Sequence, residues 1–133
     1  MSRQVITTGK PWEGTVLFSL GVVTTGRTLH TAGITARDPQ GRLVGAGDVR
    51  EQVAQCFRNL GDILAAAGAG FEDVVKYTIF TTDIDRFVRE TLEVRAPFFG
   101  GKPAATLVEV SRLIDPDMLV EIEAIVHLPG DGA

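Results

Sequence analysis

At 133 residues, with 44% apolar and 23% charged side chains, the chain has the make-up of one folded domain, not of a disordered or fibrous protein. Thirteen basic against seventeen acidic side chains give a formal charge of −4, so the basic stripe that a nucleic-acid partner needs is missing. One cysteine, Cys56, excludes an internal disulfide, and no stretch approaches the roughly 20 apolar residues of a membrane span. Met1–Lys10 lacks the apolar core of a signal peptide, so a cytoplasmic location with no membrane partner is expected.

Residues 1–133 read as a single domain with short tails at about 1–11 and 129–133. Thr15–Val23 and Thr28–Gly33 are β-rich runs, and Thr24-Thr25-Gly26-Arg27 between them predicts a hairpin. Asp38-Pro39-Gln40-Gly41 is a turn. Asp48 and Glu51 have the spacing of a capping box. After them Val49, Val53, Cys56, Phe57, Leu60, Ile63, Leu64 and Ala67 form one apolar helical stripe, closed by Gly68. Val74–Thr81 is a strand. Asp83 caps a second helix with Ile84, Phe87, Val88, Thr91 and Val94 inward, stopped or kinked at Pro97. Residues 104–110 and 118–127 supply two more strands. The order ββαβαββ predicts an α/β sandwich, one sheet with two helices on one face.

The last strand orients that sheet. Met118, Val120, Ile122, Ala124 and Val126 are an unbroken apolar row that must lie under the helices. Leu119, Glu121, Glu123, Ile125 and His127 then face the other way. In the preceding strand Thr106, Val108 and Val110 are expected to face the helices, leaving Ala105, Leu107 and Glu109 beside Glu121. A half-apolar open face on a small domain needs a partner surface, so a homo-oligomer is expected. Its carboxylates Glu109, Glu121 and Glu123 are either structural charges or parts of a site.

Other candidates for chemistry have simpler readings. Cys56 sits on the buried stripe, where it packs as a small apolar residue. His30 and His127 lack the partners of a metal site, and Asp115-Pro116-Asp117 is a turn. Gly45-Ala46-Gly47 precedes a helix, but no Lys-Ser/Thr follows it and Asp48 repels a phosphate.

The run Pro103-Ala104-Ala105-Thr106-Leu107-Val108-Glu109-Val110, with Val120-Glu121-Ile122-Glu123-Ala124, resembles the signature of the RidA/YjgF family. Thr31-Ala32-Gly33, the stretch from Gln55 through Asn59-Leu60 to Ala66-Ala67-Gly68, and Asp73-Val74-Val75-Lys76 through Phe80 resemble it too, so the likeness spans roughly residues 14–127. Pro11-Trp12-Glu13 and residues 103–123 are similar to a bacterial branch of that family. The resemblance implies a chorismate-mutase-like fold and a homotrimer with three pockets, each between neighbouring subunits. It also implies hydrolysis of enamines and imines such as 2-aminoacrylate, with no metal or organic cofactor.

Position by position, the family's substrate-carboxylate arginine falls on Ala105 and its cysteine on Leu107. Its serine falls on Ala32, its glycine is Gly33, its tyrosine falls on Phe18, and its helix asparagine falls at Thr91 or Leu92. Glu121 matches the pocket glutamate. An arginine pairs a carboxylate through two charge-assisted hydrogen bonds, a contact worth about 2–5 kcal/mol that alanine cannot make. Weak or absent 2-aminoacrylate hydrolysis is therefore expected, unless Lys102 reaches in. The reading is a small-molecule enzyme for an imine, enamine or related carbonyl metabolite. In it Glu121 is the general acid/base or water-positioning group, and Phe18, Ala32, Gly33, Ala105 and Leu107 line the site. The alternative is a non-catalytic trimer that binds metabolites or regulates a partner. The ribonuclease label carried by some relatives conflicts with the acidic charge.

Overall fold

Both helices begin at the caps that the sequence provides. In the computed structural model, which describes residues 3–130, α1 runs Val49–Ala66, and Asp48 accepts the Glu51 amide at 3.1 Å. Gly68, at φ +76°, takes the left-handed conformation just past its end. The helix buries Val49, Val53, Cys56, Phe57, Leu60 and Leu64, and also Gln52. The Gln52 amide is satisfied by Gly45 O, Asp117 O and the Leu119 N–H, all within 3.1 Å. The second helix, α2 (Ile84–Arg95), is capped twice over. Asp83 accepts the Arg86 amide at 3.1 Å, and Glu109 accepts the Ile84 amide at 3.0 Å. A 3₁₀ turn, Ala96–Phe99, takes over before Pro97. Val88, expected inward, is exposed; α2 buries only Phe87 and Thr91, an i, i+4 stripe from which Val88 is turned about 100° away.

The strands are β1 (Arg3–Ile6), β2 (Gly21–Thr24), β3 (Thr28–His30), β4 (Val74–Thr81), β5 (Ala104–Glu109) and β6 (Val120–His127). Four of them form a mixed sheet in the order β3–β6–β4–β5, in which only β4 and β5 run parallel, joined through α2. The two helices lie on one face of this sheet, as the sequence predicts. Val74, Tyr77, Ile79, Val120, Ile122, Ala124 and Val126 form the sheet's side of the core.

The start of the chain departs from expectation. Residues before Pro11, read as a tail, include β1, which pairs antiparallel with β2 from Arg3↔Thr24 to Ile6↔Gly21. Met1, Ser2 and residues 131–133 of the expected tails lie outside the described residues. The expected hairpin between residues 15–23 and 28–33 does not form. The chain turns at Gly26, but β2 pairs with β1, and β3 pairs with β6 through Leu29↔Val126. Thr15 belongs instead to a 3₁₀ turn, Pro11–Thr15, opened by proline at its first position. Between that turn and β2, Ser19 touches the sheet by a single parallel bridge to Ala104.

Candidate functional site

Register decides which face each β5 residue serves. Ala105 pairs with Tyr77 and Leu107 with Ile79, and Tyr77 and Ile79 are buried under the helices. Residues side by side across a ladder share a face, so Ala105 and Leu107 look toward the helices and pack against the core. Thr106 and Val108 occupy the open face. This reverses the facing expected from sequence. Both rows of β5 are comparably apolar, so alternation alone does not set their direction. The residues flanking Glu121 on the open face are Phe80 and, beyond it, Val108.

Ala105 and Leu107 instead floor a cavity of about 300 Å³ on the helix side. Ile79 of β4 extends the floor; Phe87, Leu92 and Arg95 of α2 with Phe99 make one wall; Thr15–Phe18 makes the other. Phe18 and Leu92, both singled out in the sequence, line this cavity. Thr91 lies one layer deeper: it is fully buried, and its hydroxyl donates to Phe87 O at 2.6 Å. Lys102 does not line this cavity. It sits at φ +57°, and its ammonium donates to Val16 O at 2.9 Å, which fastens the Thr15–Phe18 wall.

The cation in the cavity is Arg95, which the sequence reading did not single out. Its Nε donates to Thr91 Oγ1 at 3.1 Å, and its guanidinium carbon lies 5.3 Å from the centre of the Phe87 ring. Burial pushes its pKa below the usual arginine value. The signal was present in the spacing: Phe87, Thr91 and Arg95 recur every four residues and so share one face of α2.

Gly33 and Glu121 form a second group, on the other face. Thr31 N donates to Ala124 O at 3.0 Å, while Ile34 and Ile122 exchange two backbone bonds at 2.8 and 2.9 Å. Three residue steps on one side thus oppose two on the other, a bulge that pushes Ala32 and Gly33 outward. The Thr31 hydroxyl braces it, accepting from the Ala124 amide at 2.9 Å and donating to Ala32 O at 2.8 Å. The Glu121 carboxylate lies against Gly33: a methyl group built there would come within 2.8 Å of its carboxyl carbon and collide with Oε2. With the carboxylate in this position Gly33 leaves no room for a Cβ, so any larger residue would have to displace Glu121. Glu121 is half-buried and has no ion-pair partner among the described residues.

The candidate residues therefore divide. Phe18, Ala105 and Leu107 line the cavity on the helix side, whereas Ala32, Gly33 and Glu121 lie on the open face. Of the other open-face candidates, Glu123 is exposed opposite Thr78. Glu109 is committed to capping α2.

Comparison with known proteins gives the family of the chain. Residues 13–128 match the family described as Endoribonuclease L-PSP. The 2-iminobutanoate/2-iminopropanoate deaminase of Rattus norvegicus is 35% identical over 123 residues, 92% of this chain and 88% of that protein. The Rid family protein YyfB of Yersinia pestis, a protein of unknown function, superposes with a TM-score of 0.84 at 32% identity, covering 95% of this chain and 98% of that one. E. coli TdcF, whose structure holds bound serine, superposes with a TM-score of 0.66 at 33% identity, covering 82% and 86%. Sequence match and shared fold together make this chain a member of the Endoribonuclease L-PSP family, the RidA/YjgF or Rid family.

Proposed function

We propose that this chain is a hydrolase of imines or enamines, working at pockets that neighbouring subunits of a homotrimer build together. The observation that carries the reading is the division of the site. The cavity and the Gly33–Glu121 pair lie on opposite faces of one sheet, so one ligand meets both only where the open face of one subunit covers the cavity of the next. The deaminase relatives support the chemistry.

In this reading water adds to the C=N carbon and gives its first proton to nitrogen, the hydroxyl of the tetrahedral adduct gives the second, and the C–N bond breaks to release ammonia and leave a C=O group. Glu121 takes the proton from water and returns it to nitrogen, while the bulge at Gly33 presents backbone to the substrate. No group outside the chain is called on. In this reading the family's carboxylate arginine falls on Ala105, the chain belongs to an arginine-lacking branch, and 2-aminoacrylate is a poor substrate.

The test supplies short-lived imines in the assay, from a threonine dehydratase for the three- and four-carbon compounds and from an amino-acid oxidase for bulkier ones. Clearance of a bulky imine faster than its spontaneous decay, falling about 10²-fold in Glu121→Gln, is expected. Equal clearance by wild type and Glu121→Gln overturns Glu121 as the acid/base. No clearance of any imine leaves the metabolite-binding alternative.

A further inference from the structure

We propose that Arg95 is the anion-holding group of the helix-side cavity, and that the ligand it selects is a monocarboxylate with a branched or aromatic apolar body. This names the ligand class of the cavity used in the proposed function and rests on that reading only for the catalytic use of the bound acid.

Arg95 differs from the other partly buried arginines of the chain. Arg3 spends its Nη2 on two backbone carbonyls and leaves Nη1 buried without a partner, but it does not line this cavity, and Arg86 pairs with Glu90 at 3.2 Å and Gly47 O at 2.6 Å. Arg95 spends only Nε, on a neutral hydroxyl. Its two Nη groups have no acceptor and no carboxylate partner among the described residues. The guanidinium is half-buried in the cavity wall with Phe87, Leu92 and Phe99 and has no counter-charge, so an incoming anion meets two Nη groups free to pair with it.

The mounting suits recognition. The Thr91 hydroxyl is itself anchored to Phe87 O, and the Phe87 ring lies within cation–π distance, so the fork is held before any ligand arrives. A fixed guanidinium with two free Nη groups matches the two oxygens of a carboxylate. Apart from Thr15 the other side chains lining the cavity are apolar, with Ala105 and Leu107 leaving its floor uncharged. A three-carbon acid fills little of a cavity of about 300 Å³, while a branched or aromatic body covers Leu107, Ile79 and Phe99. The cation has moved from the strand floor to the helix wall, and with it the size of acid that fits.

The experiment measures binding by titration calorimetry of 4-methyl-2-oxopentanoate against its neutral primary amide, on wild type, Arg95→Lys and Arg95→Met. Wild type is expected to favour the acid by about 10-fold or more, the scale of a charge-assisted hydrogen bond. Arg95→Met should lose that preference while still binding the amide, which also reports that the cavity is folded. Arg95→Lys should keep part of it. Equal binding of acid and amide by wild type, an unchanged preference in Arg95→Met, or no binding of either compound overturns the proposal. Turnover is read separately. Acid binding that depends on Arg95, without clearance of any imine, leaves the anion site standing and removes the enzyme reading. Clearance by Arg95→Met at unchanged KM does the reverse.

Discussion

Gly33 is the residue on which the open-face group turns. A Cβ at this position would overlap the Glu121 carboxylate, but that carboxylate ends a flexible side chain that can swing aside. Gly33→Ala should therefore cost little stability and much position. Thermal melting is expected to stay close to wild type while imine clearance falls toward that of Glu121→Gln; a fully active alanine variant would show that the contact is not used. Cys56 poses the opposite case, a reactive group kept silent. Burial, reinforced by the negative charge of Glu121, raises its thiol to about 12, and its Sγ rests 3.5 Å from Ile34 O. The thiolate is the nucleophile, so folded protein at pH 8 should resist iodoacetamide and react only after denaturant is added. Rapid labelling of native protein would mean that α1 opens far more readily than its packing allows.

At the scale of elements, what was legible depended on how unequal the two sides of each segment are. α1 and β6 each set an apolar row against a more polar one, and each lies where the sequence puts it, with the predicted row buried; β4 also lies where the sequence puts it. β5 offers comparably apolar rows, so its facing comes from the parallel ladder with β4, a long-range fact that no local pattern contains. The pairing of β1 with β2 was missed for the same reason, and Arg95 because a single charge on a helix reads as a solvated surface until the cavity beside it is seen.

The segment from Thr7 to Thr15 owes its shape to one side chain. The Glu13 carboxylate accepts the Thr7 hydroxyl at 2.6 Å, the Thr8 hydroxyl, and the Thr8 and Lys10 amides at 3.1 Å. These bonds, that of Thr7 foremost, lower its pKa from 4.5 to about 2. They favour the ionised form, so their stabilisation is complete above the ordinary carboxylate range and is lost as pH falls through 4.5 toward 2. The Thr8 amide resonance should accordingly titrate with a midpoint near 2, and a midpoint near 4.5 would show that the carboxylate is not held. Glu13→Gln should loosen the turn that leads into the Val16–Phe18 wall, raising KM for an imine more than it lowers kcat.

For the whole molecule the question is whether two faces of one sheet can serve one ligand. A closed ring of three identical subunits joins unlike surfaces, so the open face of each can cover the cavity of the next. Light scattering should return the trimer mass at micromolar concentration, but mass alone does not place a site. Subunit mixing does. Glu121→Gln keeps its cavity and lacks the acid/base, whereas Ala105→Trp fills the cavity floor and keeps Glu121. Each variant alone should be inactive. When they are unfolded together in equal amounts and refolded, a pocket works wherever an intact cavity meets an intact Glu121 across an interface. Random assembly makes that about a quarter of all pockets. Recovery of about that share of wild-type clearance is the expected result. If each chain used its own Glu121 with its own cavity, mixing would recover nothing, because neither variant holds both halves. A trimer that shows no recovery, with both variants folded and exchanging, would end the shared-pocket reading.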